Sequence, residues 1–391
     1  MSLAAAPMSL FATCPRGLEA ALAEELASLG ANAIKAVNGG VAYEGDQALL
    51  YRSNLHSRLA TRVLLRVAQG NYRDDRDIHA LAKSVDWPAL FGVGHSIRVD
   101  VSATRSPLRS LELATLRIKD GLCDRFREHG GQRPDVDTRN PAVRIAGYLD
   151  ATQATLYLDA SGEPLWQRGY RCETGEAPLK ENLAAGLVRL SGWNPTSPTE
   201  AFIDPMCGSG TIVIEAAMLA AAIAPGLHRS FAFERWHDYT PALWQQLQTA
   251  ARAQQREPQG LIAASDLLGR ELDHARANLE AAGLLPWVTL KQANVLELPP
   301  PAESGVMLCN PPYGERLGES DALAGFYPKL GDALKKSWAG WRCYFLTGDP
   351  RLPKLIGLKA SRRTPLFNGA IDCRLLEFRM VAGSMRGKPP S

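Results

Sequence analysis

Three short stretches of this 391-residue chain combine residue types that could do chemistry. Asp204-Pro205-Met206-Cys207-Gly208-Ser209-Gly210-Thr211 follows an apolar run, Asp266 closes "GLIAASD", and Asn310-Pro311-Pro312-Tyr313 follows Val306-Met307-Leu308-Cys309. Two prolines straight after a strand cannot extend a ladder, because neither has an N–H. The tetrad is therefore a rigid turn that offers an amide, bare carbonyls and a ring at the end of a strand. Gly208 and Gly210 would let a ligand approach the backbone. A carboxylate at a strand end, such as Asp266, can accept two hydrogen bonds from ribose hydroxyls.

Several chemistries are disfavoured by what is missing. A dinucleotide fingerprint wants a third glycine where Val213 stands, and a phosphate loop wants Gly-Lys-Ser/Thr. A nucleophile elbow is absent, since Ser209 has a glycine directly on each side. None of the seven histidines forms H-E-x-x-H. The seven cysteines (Cys14, Cys123, Cys172, Cys207, Cys309, Cys343, Cys373) are scattered without a C-x-x-C pair. That argues against a disulfide framework and a structural zinc site, and suits a reducing cytoplasm. No metal is expected. The start has no signal-peptide pattern, and the most apolar run, Ile212 to Ala224, is too short to span a membrane and contains Glu215. A cytoplasmic chain with no membrane partner is expected. The net charge of +3 is too small to decide on a nucleic-acid partner.

The elements that must position these residues follow from periodicity. From about 159 onward, strand, Gly-rich turn, helix, strand and helix imply an open parallel α/β sheet. Its strands are "AFIDP", "GLIAASD", "WVTLKQAN", "GVMLCNPP" and "WRCYFLTGD". Asn368-Gly369 between two strand-like segments predicts an antiparallel hairpin at the sheet edge. The Trp- and Gln-rich stretch 225–258 reads as a helical insertion, and the tail "GSMRGKPPS" is expected to be disordered. Residues 1–65 read as a small α+β unit, with Leu18, Leu22, Leu26 and Leu29 at helical spacing as core. In residues 66–158, "SIRVDVSAT" predicts a strand, "LELATLRIKDGLCDRFREHG" a helix, and "VRIAGYLDATQATLYLDASG" two strands joined by a turn. Between that first strand and the helix lie Arg105, Arg109, Arg117 and Lys119, against Glu112 alone. They form a solvated face or, on the sharper reading, a phosphate-contacting surface.

In this order, the strand-end acid, G-x-G turn, second acid and tetrad resemble the S-adenosylmethionine site of class I methyltransferases. The resemblance implies Asp204 near the methionine amino group, Gly208 and Gly210 under the cofactor, and Asp266 on the ribose. The tetrad resembles the N-P-P-Y motif of enzymes that methylate an amine attached to a planar system. Such an amine is a poor nucleophile because its lone pair is delocalised. The Asn310 side-chain oxygen and the Pro311 carbonyl can accept its two N–H groups, which steers the lone pair and stabilises the growing positive charge. Tyr313 can stack on an extruded base, worth roughly 1–3 kcal/mol.

Further stretches widen the likeness: "FATCPRGLEAALAEELASLGA", "LDASGEPLWQRGYR", "APLKENLAAGLVRLSGW", "AAAIAPGLHRSFAFERW" and "RTPLFNGAIDCRL". They are similar to THUMP-containing rRNA guanine-N2 methyltransferases of the RlmL type over nearly the whole chain. That implies a ferredoxin-like domain over 1–65, a THUMP RNA-binding domain over 66–158 and a Rossmann-like methyltransferase domain over 159–391. The implied substrate is a guanosine of 23S rRNA, naked or in a large-subunit assembly intermediate. In some bacteria this unit is fused to a second methyltransferase, and a chain ending at 391 is expected to lack that half. Three positions depart from the family pattern. Asn182 stands where threonine is usual. Asn294 replaces an acid that receives the adenine amino group, although its amide oxygen can still accept that bond. Leu268 stands where an acid is common. The rivals are a tRNA guanine-N2 methyltransferase, a DNA adenine-N6 or protein glutamine methyltransferase, and a non-catalytic RNA-binding ribosome-assembly factor with a relic cofactor site. The first 150 residues weigh against the DNA and protein enzymes, which need no THUMP module. The intact acids, glycines and Asn310 weigh against the relic.

Overall fold

A computed structural model describes residues 7–172, 179–311 and 319–381. Pro312, Tyr313 and the tail 383–391 lie outside the described residues. In chain order the first half runs β1 (Met8–Thr13), α1 (Glu19–Ser28), β2 (Asn32–Val37), β3 (Gly40–Gly45), α2 (Gln47–His56), β4 (Arg62–Asn71), α3 (Asp75–Ser84), α4 (Trp87–Leu90), β5 (Ile97–Ala103), α5 (Leu111–Gly130), β6 (Val143–Leu149) and β7 (Gln153–Asp159). The second half runs α6 (Glu181–Leu190), β8 (Ala201–Asp204), α7 (Thr211–Ala220), a 3-10 turn (Ala232–Arg235), α8 (Pro241–Ala253), β9 (Ile262–Asp266), α9 (Gly269–Ala281) and β10 (Thr289–Gln292). It continues with β11 (Gly305–Cys309), α10 (Glu319–Ser337), β12 (Trp341–Thr347), α11 (Leu352–Leu355), β13 (Arg362–Asn368) and β14 (Ile371–Arg379). Two compact units result. One gathers Met1–Cys14, Leu22–Leu165 and His228–Ala250; the other gathers Pro15–Ala21, Trp166–Leu227 and Ala251–Ser391.

In the first unit the described strands form one seven-stranded sheet, ordered β2-β3-β1-β4-β7-β6-β5. The β1-α1-β2-β3-α2-β4 portion has the ferredoxin-like order. β4 pairs with β1 through Arg62–Leu65 and with β7 through Leu64–Asn71, with a bulge between Arg66 and Ala68. The expected boundary at 65/66 therefore falls inside a strand that both modules use. Local chemistry sets the helix ends: Asp46 accepts the Leu49 N–H at 2.7 Å to start α2, and Ser110 accepts the Leu113 N–H at 3.2 Å to start α5. Three elements of this unit were not anticipated: β2, α3 and the short α4. β2 is exposed at nearly every residue, so it has no alternation to read. α3 buries Ile78 and Ala82 on one face. The 225–258 insertion does contain a helix, α8. Its His228–Ala250 portion packs in the first unit, where Phe233 stacks on Tyr51 with ring centroids 4.4 Å apart and meets Trp244 at 5.2 Å.

In the second unit the sheet order is β10-β9-β8-β11-β12-β14-β13. Pairing is parallel from β10 to β12 and antiparallel for β12/β14 and β13/β14. Strand order reverses between β8 and β11, so the crevice at their carboxyl ends is the switch point where open α/β sheets hold ligands. The hairpin differs from expectation by one residue. Asn368 pairs with Ile371, so Gly369-Ala370 forms the two-residue turn, with Gly369 at φ +63°. Gly369 thus takes the first central position, where a II′ turn wants glycine. α7 buries nine of its ten residues, including Glu215. Trp338, Trp341, Tyr327, Phe345 and Phe378 fill a core that includes faces of β11, β12 and α10. No helix of the described residues is long and apolar enough to cross a membrane.

Candidate active site

β8 and β9 end at the two acids singled out above, and β11 ends directly before Asn310. Asp204 is the last residue of β8 and is 1% exposed. Its Oδ1 accepts the Met206 N–H at 3.2 Å. Burial pushes the Asp204 carboxyl well above the usual carboxylate range, and the charge of Asp266 adds to the rise. Asp266 ends β9; Oδ2 accepts the Gly208 N–H at 2.9 Å and Oδ1 accepts the Leu268 N–H at 3.0 Å. The second acid thus pins the glycine turn of the first strand. A carboxylate oxygen has two lone pairs, so each still has one acceptor direction left.

The two glycines do different things. Gly208 has φ +51°, and a Cβ there would meet nothing within 4 Å. Its backbone faces open space. Gly210 has φ +84°, but a Cβ there would lie 3.2 Å from the Ala275 Cβ on α9. Its missing side chain makes room for α9. The turn is also held from behind. Asn278, 1% exposed on α9, donates from Nδ2 to the Ser209 carbonyl at 3.0 Å and accepts the Cys172 N–H at 2.9 Å. The Cys207 N–H donates to the Ser265 carbonyl at 3.0 Å.

β11 carries the tetrad. Cys309 is fully buried, Asn310 is half-buried, and Pro311 is buried. The β8/β11 register pairs Met307 with Ile203, so Asn310 leaves β11 beside the end of β8 that bears Asp204. Asn294 follows β10, and its Oδ1 already accepts the Leu296 N–H at 3.1 Å. Only its second lone pair remains for a ligand. Leu267 and Leu268, 61% and 47% exposed, form an apolar step directly after Asp266. Asn182 is fully buried on α6.

A buried polar cluster behind α7 was missed by sequence reasoning. Arg168 Nε meets Glu215 Oε1 at 3.2 Å, with side chains 1% and 0% exposed, and the Tyr170 hydroxyl donates to the same oxygen at 3.4 Å. Arg171 donates to Glu181 at 2.9 Å, to the Leu179 carbonyl at 3.0 Å and to Thr211 Oγ1 at 3.1 Å. Arg171 therefore ties the start of α6 to the first residue of α7. An acid inside the apolar α7 segment, and Asn278 between Ala275 and Leu279 on an apolar face, were the signals that could have pointed to these groups.

The basic residues expected to meet RNA lie in the first unit. Arg105 and Arg109 are exposed between β5 and α5. Arg117 pairs with Asp75 at 2.6 Å and Lys119 with Asp120 at 2.8 Å. The carboxylates halve the charge this face can offer.

The second unit has the sheet order of a class I methyltransferase, with its polar residues gathered at the switch point. Residues 168–377 match the RMKL-like methyltransferase domain, residues 9–64 the RlmL ferredoxin-like domain and residues 72–159 the THUMP domain. The chain belongs to the RMKL-like methyltransferase family. It is 40% identical to the ribosomal RNA large subunit methyltransferase K/L of Aeromonas hydrophila over 96% of its own length, and it spans 55% of that relative. The structure of SMU.472, a candidate methyltransferase solved in complex with SAH, superposes with a TM-score of 0.87 at 31% identity, covering 96% of this chain and 98% of that one. A Listeria monocytogenes protein described as a predicted N6-adenine-specific DNA methylase superposes with a TM-score of 0.86 at 30% identity, covering 96% of each chain.

Proposed function

We propose that this chain transfers a methyl group from S-adenosylmethionine to the exocyclic N2 amine of a guanosine in 23S rRNA. The observation that carries the reading is the placement of Asn310-Pro311 at the end of β11, next to the buried Asp204 of β8. The local residues suit the cofactor. Gly208 leaves open space over its backbone. Asp266 keeps an acceptor direction on each oxygen for ribose hydroxyls. Leu267 and Leu268 offer an apolar face to a purine, and Asp204 offers a carboxylate to an ammonium. The cofactor supplies an electrophilic methyl group.

The remaining work falls to the chain itself. Asn310 Oδ1 and the Pro311 carbonyl accept the two N–H groups of the substrate amine and aim its lone pair. Both acceptors are fixed before reaction, so they stabilise charge growing on nitrogen without reorganising. Pro312 and Tyr313 complete the tetrad, with Tyr313 stacking on a base turned out of its helix. No strong base is required, because a methylated ammonium of this kind loses its proton readily. Residues up to about 158, organised as a ferredoxin-like domain to 65 and a THUMP domain from 66, choose the site on RNA. Arg105 and Arg109 are the stronger phosphate contacts there, since Arg117 and Lys119 already face carboxylates. The partner is 23S rRNA or a large-subunit precursor in the cytoplasm.

Asn-Pro-Pro-Tyr serves guanine N2 and adenine N6 equally well, since both are exocyclic amines with two hydrogens. The choice of guanine in rRNA rests on the family and on the ribosomal RNA methyltransferase relatives. Nucleoside mass spectrometry of rRNA and tRNA from cells lacking the gene tests it. Loss of N2-methylguanosine from 23S rRNA is expected. Loss from tRNA alone would move the substrate to tRNA, and loss of N6-methyladenine would overturn the base assignment.

A further inference from the structure

The sheet of the first unit has two unlike faces. One carries Leu10, Ala12, Tyr43, Leu156 and Leu158, all buried. Helices cover that face: a Cβ on Gly45 would meet Leu49 of α2, one on Gly70 would meet Leu81 of α3, and one on Gly147 would meet Ile118 of α5. The ladders set Gly45 opposite Met8, Gly70 opposite Ala154 and Gly147 opposite Leu156, so all three glycines share the face of Leu10. The other face carries a different set. Phe11 of β1 stands opposite Leu64, Arg66 of β4 opposite Tyr157 of β7, and Tyr148 of β6 opposite Thr155, two residues before Tyr157. These strands are neighbours in the order β1-β4-β7-β6, so Phe11, Arg66, Tyr157 and Tyr148 form one track across the sheet. The Phe11 and Tyr157 ring centroids are 5.9 Å apart. A Cβ on Gly40 would stand 2.6 Å from Phe11 Cζ, so the missing side chain lets the Phe11 ring lie low against β3. Burial raises the Tyr157 hydroxyl, Arg66 opposes the rise and Tyr148 adds to it, which puts the three side chains in one patch.

The charges on this face separate one cation from the rest. Arg62, Arg98 and Arg144 are matched by Asp159, Asp100 and Glu163. Arg66 is exposed and donates to neutral acceptors, Ser9 Oγ at 2.7 Å and Gln69 Oε1 at 3.3 Å, so its charge is not spent on a carboxylate. Glu44 stands opposite Ser9 and turns phosphates away from that corner. Beyond the Leu10/Leu65 pair β4 parts from β1, and an open cleft of about 380 Å3 lies there with Arg66 on its wall. Tyr148 is 39% exposed, and Phe11 and Tyr157 are half-buried. We propose that this face is a platform for a single-stranded segment of RNA, with bases stacked on Phe11, Tyr157 and Tyr148 and a backbone phosphate on Arg66. Aromatic rings on an open sheet face suit unpaired bases, whose π faces are free; bases in a duplex are already stacked on each other. The proposal rests on the reading that the first unit selects the RNA site, and it supplies the means. An enzyme that acts on an amine inside a base pair must open the helix, and the opened strand then has bases to place.

The test titrates the full chain into a fluorescein-labelled oligouridine and, separately, into a labelled RNA hairpin duplex, with binding read by anisotropy. Wild type is expected to bind the oligouridine. Tyr148→Ala and Phe11→Leu should each weaken that binding by about 5- to 150-fold, the range for one base stacked on an aromatic ring. Tyr148→Phe keeps the ring and should stay near wild type. Hairpin affinity should move little in all three. Arg66→Gln should flatten the plot of log Kd against log salt for oligouridine by about 0.7, the value of one phosphate on a single strand. Thermal unfolding shows which variants are folded; should Phe11→Leu not fold, Tyr148→Ala, whose ring is exposed, carries the comparison. Unchanged oligouridine affinity in the folded variants overturns the proposal and leaves the site-selection reading intact. So does an equal loss on the hairpin, which would make the face a duplex contact, or a wild type that binds the hairpin alone. A wild type that binds neither RNA overturns both, at the first titration and before any variant is made.

Discussion

At the residue scale, Asn310 and Asp204 make separable demands. Asn310 meets the amine only as charge develops, so Asn310→Ala should leave cofactor affinity nearly intact and fall mainly on kcat. Near-normal single-turnover transfer by that variant would remove the tetrad from the chemistry. Asp204 predicts a pH effect. Its carboxyl is raised by burial, with the charge of Asp266 adding to the rise, so part of the free protein carries a proton there at pH values where an exposed aspartate is ionised. An ammonium group binds the carboxylate form. Cofactor affinity should therefore rise with pH as Asp204 ionises, and binding below that point should release a proton. Calorimetry in buffers of different ionisation enthalpy reads this directly, and Asp204→Asn should abolish the release. Much of this site was legible from residue type and order alone: two strand-end acids, a glycine turn and a proline-stiffened turn. The division of labour was not. Gly208 and Gly210 look alike in sequence, yet one faces open space and the other faces Ala275, a residue 65 positions away that no local pattern reports.

At the element scale, the turn is placed by what lies behind it. Arg168 and Glu215 are buried as a pair, and removing one partner strands the other charge, which costs about 3–5 kcal/mol. Arg168→Met should therefore lower stability sharply, and Arg168→Met with Glu215→Leu should recover much of the loss, as read by denaturant unfolding. Additive losses in the double variant would show that neither charge depends on the other. β8, β9 and β11 were readable because each is a short apolar run that ends in, or directly before, a polar residue. β2 was not, because its exposed residues leave no alternation in the sequence. The hairpin shows the limit of turn signals: Asn-Gly announces a reversal, while the ladder decides which two residues occupy it, here Gly369 and Ala370.

At the scale of the whole molecule, sequence neighbours are not always packing neighbours. The second unit includes Pro15–Ala21. Leu18 is fully buried, its Cδ1 only 2.5 Å from where a Cβ on Gly186 would stand, and Gly17 lies against Pro365 and Leu366. A fragment that begins at residue 159 lacks this cover and should be less stable than the same unit in the full chain by about 1.5–3 kcal/mol, the value of one buried leucine. Co-expressing or adding a peptide of residues 12–24 should raise its melting temperature; no shift would show that the segment contributes nothing. The 228–250 insertion teaches the same lesson, since it lies within the expected catalytic region but packs its aromatic residues in the first unit. The long strand β4 extends it to heredity. Its residues 62–65 close one ladder and 64–71 open the next, across a bulge whose loss would turn the far half inside out. A crossover between two related genes anywhere in that strand would have to conserve two registers at once, so recombination should pass the ferredoxin-like and THUMP modules on together, as a single inherited cassette.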